Sequence, residues 1–298
     1  MKATTATASR AGLREYLVFT KAGLSSAVGL PGLLVYLLIA QEITAALWFS
    51  LLGIFLLALG VSALNQYQEK ELDAKMPRCQ NRPLVTGKIS PFAAITTISL
   101  LIASATVFLY MALGAVGILF SAVVVFLYNG VYTPMKQASP YAVFPGAILG
   151  VVPPMICWMA AGGGLFEVRF LPLAWLYFIW QVPHFWLLVL VYHKDYASAN
   201  FPTMVDVMGV KSLARVTYVW ILLTIISALL VVRFFMPQSD IILGFIVAHA
   251  LFLVYASLPL FNLKESAQRL TCKKIFMHLN LYMLLAVAFL VVDRWYFT

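Results

Sequence analysis

Three oxygen-bearing side chains recur every four residues where a long apolar run gives way to polar sequence: Asn65, Glu69 and Asp73. On a helix of 3.6 residues per turn that spacing stacks them on one face. An amide and two carboxylates are thereby aimed at one small volume near the edge of the hydrocarbon. Such a set suits Mg²⁺, a hard cation that takes oxygen ligands and keeps waters while bridging to substrate phosphates. Lys75, Arg78, Arg82 and Lys88 follow at once, so an anionic ligand would meet metal on one side and cationic donors on the other. A polar helix end followed by a basic loop is also what an ordinary cytoplasmic loop of a membrane protein looks like. Spacing and charge alone leave both readings open.

A second polar group lies in WQVPHFWLLVLVYHKDY, Trp180 to Tyr196. On a continuous helix His184 and Asp195 are about three turns apart and can line one side, which makes Asp195 a further candidate for a hydrated Mg²⁺. Gln181 and His184 sit deeper, in apolar sequence where an unpaired polar group is costly. They either bond to a neighbouring helix or touch a polar substrate or its metal. Tyr132 and Lys136, one turn apart at the end of another apolar run, could both donate to a phosphate oxygen, or Lys136 could simply snorkel to the interface. His193 is expected at a loop surface. His249 and His278 lack convergent ligand spacing and are expected to pack or to bond near the interface.

The elements that must position these groups are membrane helices. Of 298 residues, 63% are hydrophobic and only 10% charged, against about 25% charged in soluble domains. Nine apolar segments are expected, near Leu24–Ala40, Ala45–Leu64, Phe92–Tyr110, Ala115–Val131, Tyr141–Ala160, Leu171–Val191, Val216–Phe235, Ile241–Phe261 and Ile275–Val292. They predict a single all-α membrane domain over residues 1–298. With the amino terminus cytoplasmic, 17 of the 20 Lys and Arg residues fall on the cytoplasmic side, so the carboxyl terminus is expected outside. This asymmetry accounts for the net charge of +9 without nucleic acid. The opening MKATTATASRAGLREY lacks a secretory signal's apolar core and is taken as a cytoplasmic tail. Cys79, Cys157 and Cys272 offer neither disulfide nor zinc spacing.

Long polar connections are expected only at Gln66–Pro91 and Tyr192–Arg215, after the second and sixth segments, which also allows an approximate four-helix repeat. A cavity between two halves would place both connections over its mouth. Pro145, Pro153, Pro154 and Pro183 interrupt helices, and Gly146 and Gly150 are expected to serve close packing.

Asn65, Glu69, Asp73, Met76, Arg78 and the NRPLVTG run from Asn81 to Gly87 resemble the first signature of the UbiA-type intramembrane prenyltransferases. Together with WQVPHFW at Trp180–Trp186, Asp195 and Tyr196, they are similar to the branch of that family that attaches farnesyl to protoheme IX. The similarity runs nearly the whole chain and implies nine transmembrane helices around a central cavity open toward the cytoplasm. Departures exist. Glu69 stands where Asp is common, Cys79 where Thr is common, Thr203 and Asp206 alter the continuation after the second motif, and that motif is reduced to Asp195 with Tyr192 nearby.

The resemblance implies a Mg²⁺-dependent transfer of farnesyl from farnesyl diphosphate to a vinyl group of protoheme IX (haem b), giving haem O. Asn65, Glu69, Asp73 and Asp195 would be catalytic, with Glu69, Asp73 and Asp195 on the metal. Arg78, Arg82, Tyr132 and Lys136 would hold diphosphate, and Trp180, Gln181 and His184 would face the haem. Phe126, Phe144, Trp158, Trp180, Phe185 and Trp186 could wall the farnesyl chain. A bacterial inner-membrane location and a recipient in haem A or terminal-oxidase assembly follow from the same resemblance. Two alternatives remain at this point: a relative acting on a quinone precursor or other aromatic acceptor, and a transporter of an anionic metabolite.

Overall fold

The computed structural model describes residues 11–264 and 268–297; the first ten residues of the expected tail lie outside them. The end of the tail, from Leu13, opens a short helix, α1 (Leu13–Phe19). Among the described residues, nine further helical segments are long and apolar enough to cross a membrane. These are α2 (Ala22–Ile39), α3 (Ala45–Gln68), α4 (Pro91–Leu113), α5 (Ala115–Ala138), α6 (Pro140–Ala160), α7 (Val168–Ser198), α8 (Met204–Phe235), α9 (Asp240–Leu260) and α10 (Gln268–Phe297). The chain is thus an all-α, multi-pass membrane protein, and all nine expected segments are present.

Neighbours in sequence pack against one another, and α2 closes the bundle by touching both α6 and α10. One apolar core is built mainly from α6 to α10, with Trp158, Tyr177, Leu187, Ile221 and Leu279 almost wholly buried. A second joins α2, α3, α4 and α6 around Tyr36, Leu47, Ile54 and Ile156. Small residues allow the closest approaches. A Cβ on Gly146 would press on the rings of Tyr132 and Phe185, and one on Gly150 would collide with Gln181, so both glycines serve packing as expected.

Two boundaries depart from the sequence reading. The connection expected over Tyr192–Arg215 is mostly helix: α7 runs to Ser198 and α8 starts at Met204, leaving a link at 199–203. The apolar runs end where hydrocarbon would end, but the helices continue beyond it. What starts α8 is a capping box, with the Thr203 N–H and hydroxyl both donating to Asp206 Oδ2 at 2.7 and 2.9 Å. The unusual Thr203 and Asp206 thus have a local structural role. The second departure is at Glu69, whose φ of −98° and ψ of 9° end α3. A single turn over Lys70–Asp73 follows.

Helix α5 carries a π-helical stretch over Phe126–Tyr132, just before Pro134. Proline removes a backbone donor and crowds the preceding turn, and a wider turn relieves this while re-aiming side chains. The stretch is tied to α3 by a polar ladder. Asn129 Nδ2 donates to Val61 O at 3.2 Å and to Gln68 Oε1 at 3.0 Å, and Gln68 Nε2 returns a bond to Asn129 O at 3.0 Å. Asn65 Nδ2 donates to Thr133 Oγ1 at 3.2 Å. Asn129→Leu is expected to lower stability by about 1 kcal/mol, read as a lower thermal midpoint in detergent, since Gln68 and Val61 lose their partner together.

Candidate active site

Residues from seven helices and the connections between them converge at one end of the bundle around a cavity of about 830 Å³. Its charged lining is Lys21, Glu69, Asp73, Arg78, Arg82 and Lys136, four cations against two carboxylates. Asn65, Tyr132 and Tyr196 line it too. Although α3 stops at Gln68, the four-residue register continues across the break: Glu69 N–H donates to Asn65 O at 2.9 Å and Asp73 N–H to Glu69 O at 2.8 Å. The three side chains therefore do face one volume, and Asn65, Glu69 and Asp73 are each no more than 3% exposed.

Each candidate carboxylate is matched with a candidate phosphate donor. Lys136 Nζ lies 2.7 and 2.9 Å from the two Glu69 carboxylate oxygens. Arg82 Nη1 donates to Asp73 Oδ2, and Arg78 Nε stands 3.6 Å from Asp195 Oδ2. Burial raises the Asp73 carboxyl above its ordinary pKa, against the opposing pull of the Arg82 guanidinium. Burial, with the Arg82 and Lys136 charges close by, brings the Lys21 ammonium down to about 8, while Glu69 and Asp73 pull the other way.

Aromatic rings frame these charges. The Arg78 guanidinium carbon is 4.7 Å from the Tyr192 ring centre and 5.4 Å from that of Tyr196, and Lys136 Nζ is 5.1 Å from the Phe201 ring centre. Deeper, Tyr128, Tyr132, Phe185 and Trp186 line the cavity, with Tyr132 5.5 Å from Tyr128 and 6.1 Å from Phe185 between ring centres. The link after α7 closes over the loop after α3, where Met76, Cys79, Ala199 and Phe201 form a small buried cluster.

Several expected placements differ. Asp195 does not join Glu69 and Asp73: among the described residues no three His, Cys, Asp or Glu side chains gather into a ligand set. The reason is the break at Tyr192, φ −121° and ψ 17°, which invalidates a straight-helix projection from His184 to Asp195. Trp180, Gln181 and His184 are not in the cavity lining. His184 Nδ1 is paired with Asn280 Oδ1 at 2.8 Å, its ring lies 4.7 Å from that of Phe276, and Gln181 packs on Gly150. Of the six aromatics expected to wall the chain, only Phe185 and Trp186 do so; Phe126 is 65% exposed and Trp158 is buried in the core. Lys21, Tyr128, Tyr196 and Phe201 were not foreseen as lining. Tyr128 had a signal, one turn before Tyr132. Lys21 had none beyond its sign.

Buried carboxylates and cationic side chains lining one cavity at the end of a helical bundle form a site whose charge suits an anionic ligand. The sequence matches the UbiA prenyltransferase family over residues 28–292, and the chain belongs to that family. A protoheme IX farnesyltransferase of Oleidesulfovibrio alaskensis is 41% identical over 167 residues, 56% of this chain and 59% of that relative's length. One of Xanthomonas campestris pv. campestris is 31% identical over 271 residues, 90% of this chain and 88% of the relative. The fold is shared with a UbiA homologue of Archaeoglobus fulgidus bound to GPP and Mg²⁺, with a TM-score of 0.64, 14% identity, and coverage of 93% of this chain and 99% of that one.

Replacing Lys136 alone by Ala leaves Glu69 buried without its cation. A loss of about 3 kcal/mol is expected, and the double change Lys136→Met with Glu69→Gln should recover most of it. Thermal unfolding of both variants in detergent checks this.

Proposed function

We propose that this chain transfers farnesyl from farnesyl diphosphate to a vinyl group of protoheme IX, as one intramembrane catalytic unit. The observation that carries the reading is the pairing of buried carboxylates with cations at the mouth of an aromatic-walled cavity. The names of its relatives, protoheme IX farnesyltransferases, supply the donor and acceptor.

Glu69 and Asp73 fit Mg²⁺: both are buried oxygen donors on one face of the cavity. These two carboxylates would hold the ion, a hard cation that takes oxygen ligands. When bound there, Mg²⁺ would neutralise the charge that develops on departing diphosphate. Arg82 and Lys136 exchange carboxylate partners for phosphate oxygens, assisted by Tyr132 and by Arg78. Asp195 acts through Arg78, holding the guanidinium against the Tyr192 and Tyr196 rings.

The allylic C–O bond breaks with its electron pair leaving on diphosphate. The vinyl π pair then forms the new C–C bond, and water adds to the resulting porphyrin side-chain cation with loss of a proton. Tyr128, Tyr132, Phe185 and Trp186 offer ring faces to positive charge and exclude early water. The farnesyl chain is held by apolar burial, about 0.8 kcal/mol per buried CH₂.

In this reading the cavity is central and opens to the cytoplasm, with the amino terminus inside, the carboxyl terminus outside and the chain in a bacterial inner membrane. Haem A or terminal-oxidase assembly receives the product.

Purified protein with haem b, farnesyl diphosphate and Mg²⁺ is expected to yield haem O and diphosphate, followed by mass-resolved chromatography. Product should vanish when Mg²⁺ is chelated, and fall by on the order of 100-fold in Glu69→Gln or Asp73→Asn. Prenylation of an aromatic acid with none of haem would replace the acceptor. Uptake into sealed vesicles without transfer would replace the reaction.

A further inference from the structure

Three of the four cations lining the cavity are committed to carboxylates: Arg78 to Asp195, Arg82 to Asp73 and Lys136 to Glu69. Lys21 is the exception. Among the described residues its ammonium is in no ion pair, and it is met instead by a neutral acceptor, Asn65 Oδ1, at 2.9 Å. A cation drawn into a partly buried cavity with only an amide for company has unused capacity for an anion.

Its position is built rather than incidental. Lys21 sits at the turn between α1 and α2 with φ 51° and ψ 42°, the left-handed region that residues other than Gly rarely adopt. The turn is gripped from α3 by two successive side chains. Gln66 Nε2 donates to Val18 O at 2.9 Å, and Asn65 accepts from Lys21. The orientation of Asn65 is itself determined: the Thr133 hydroxyl donates to Tyr128 O at 2.9 Å, so it must accept from Asn65 Nδ2, which leaves Oδ1 for the ammonium. Asn65 is therefore a positioning residue for Lys21.

Building on the transferase reading, we propose that Lys21 is a further ligand-holding residue of this cavity, whose ammonium takes an anionic oxygen group of the bound substrates. Two sources share that chemistry, a phosphate of the prenyl donor and a carboxylate of the porphyrin acceptor. An amide held at fixed distance keeps the ammonium in place without neutralising it, whereas a carboxylate there would satisfy the charge before any ligand arrived.

The test uses the full-length protein in detergent with two probes: inorganic diphosphate with Mg²⁺ by calorimetry, and haem b by absorbance titration. Lys21→Gln is expected to weaken one probe by on the order of tenfold, with Lys21→Arg restoring it. Loss in the diphosphate arm assigns the phosphate. Loss in the haem arm, matched by equally weak binding of haem dimethyl ester to the unaltered protein, assigns the carboxylate. Lys21→Asn, which tolerates the left-handed backbone, replaces Gln if that variant misfolds. Unchanged affinity for both probes in a variant that unfolds like the unaltered protein overturns the proposal while leaving the transferase reading intact. If the unaltered protein binds neither probe, both fall.

Discussion

Two carboxylates buried where a membrane bundle meets polar surroundings constrain everything near them. Glu69 and Asp73 are each at most 3% exposed, and an isolated buried carboxylate carries a desolvation penalty of several kcal/mol. The fold meets this by bringing cations from other elements, Lys136 on α5 and Arg82 from the loop after α3. The pairs hold the site together, and they also bind the groups that a metal and a phosphate would each require. Ligand binding can then exchange partners among charges already desolvated, instead of stripping water from free ones.

That arrangement depends on departures from regular helix. The end of α3 at Gln68 lets the chain turn while Asn65, Glu69 and Asp73 keep their register. The π-helical turn in α5 places Tyr132 and Lys136 on the cavity. The break at Tyr192 brings Tyr196 to the lining while Asp195 turns to Arg78. A uniformly α-helical bundle with the same sequence would project these side chains in different directions.

The sequence made some of this legible and hid the rest for physical reasons. Nine apolar runs and the four-residue spacing from Asn65 to Asp73 report burial and helical phase, and both were found as expected. The ends of α7 and α8 were missed because hydropathy marks where hydrocarbon stops, whereas a capping pair such as Thr203 and Asp206 marks where a helix starts. Asp195 was projected along a straight axis that a single residue's dihedral angles break. The cost of a polar group in apolar sequence left His184 between an interhelical bond and a substrate, and Asn280 on α10, 96 positions away, supplies the bond. No local pattern announces such a partner. Lys21 was hidden most completely, since a lysine ahead of a first membrane helix has the same sign and place as any topogenic charge.

The cavity's lining comes from elements that touch different cores. Glu69 and Asp73 follow α3, which packs in the core of α2, α3, α4 and α6. The Tyr196 and Phe201 side chains come from the end of α7 and its link, and α7 belongs to the other core. The Arg78–Asp195 pair and the Met76, Cys79, Ala199 and Phe201 cluster are the local contacts that join them over the cavity. The ion pair is partly exposed and such pairs contribute little individually, whereas the four side chains of the cluster are buried. The aromatic wall of the chamber is thereby drawn from both cores, and the contacts above it cross the boundary between them.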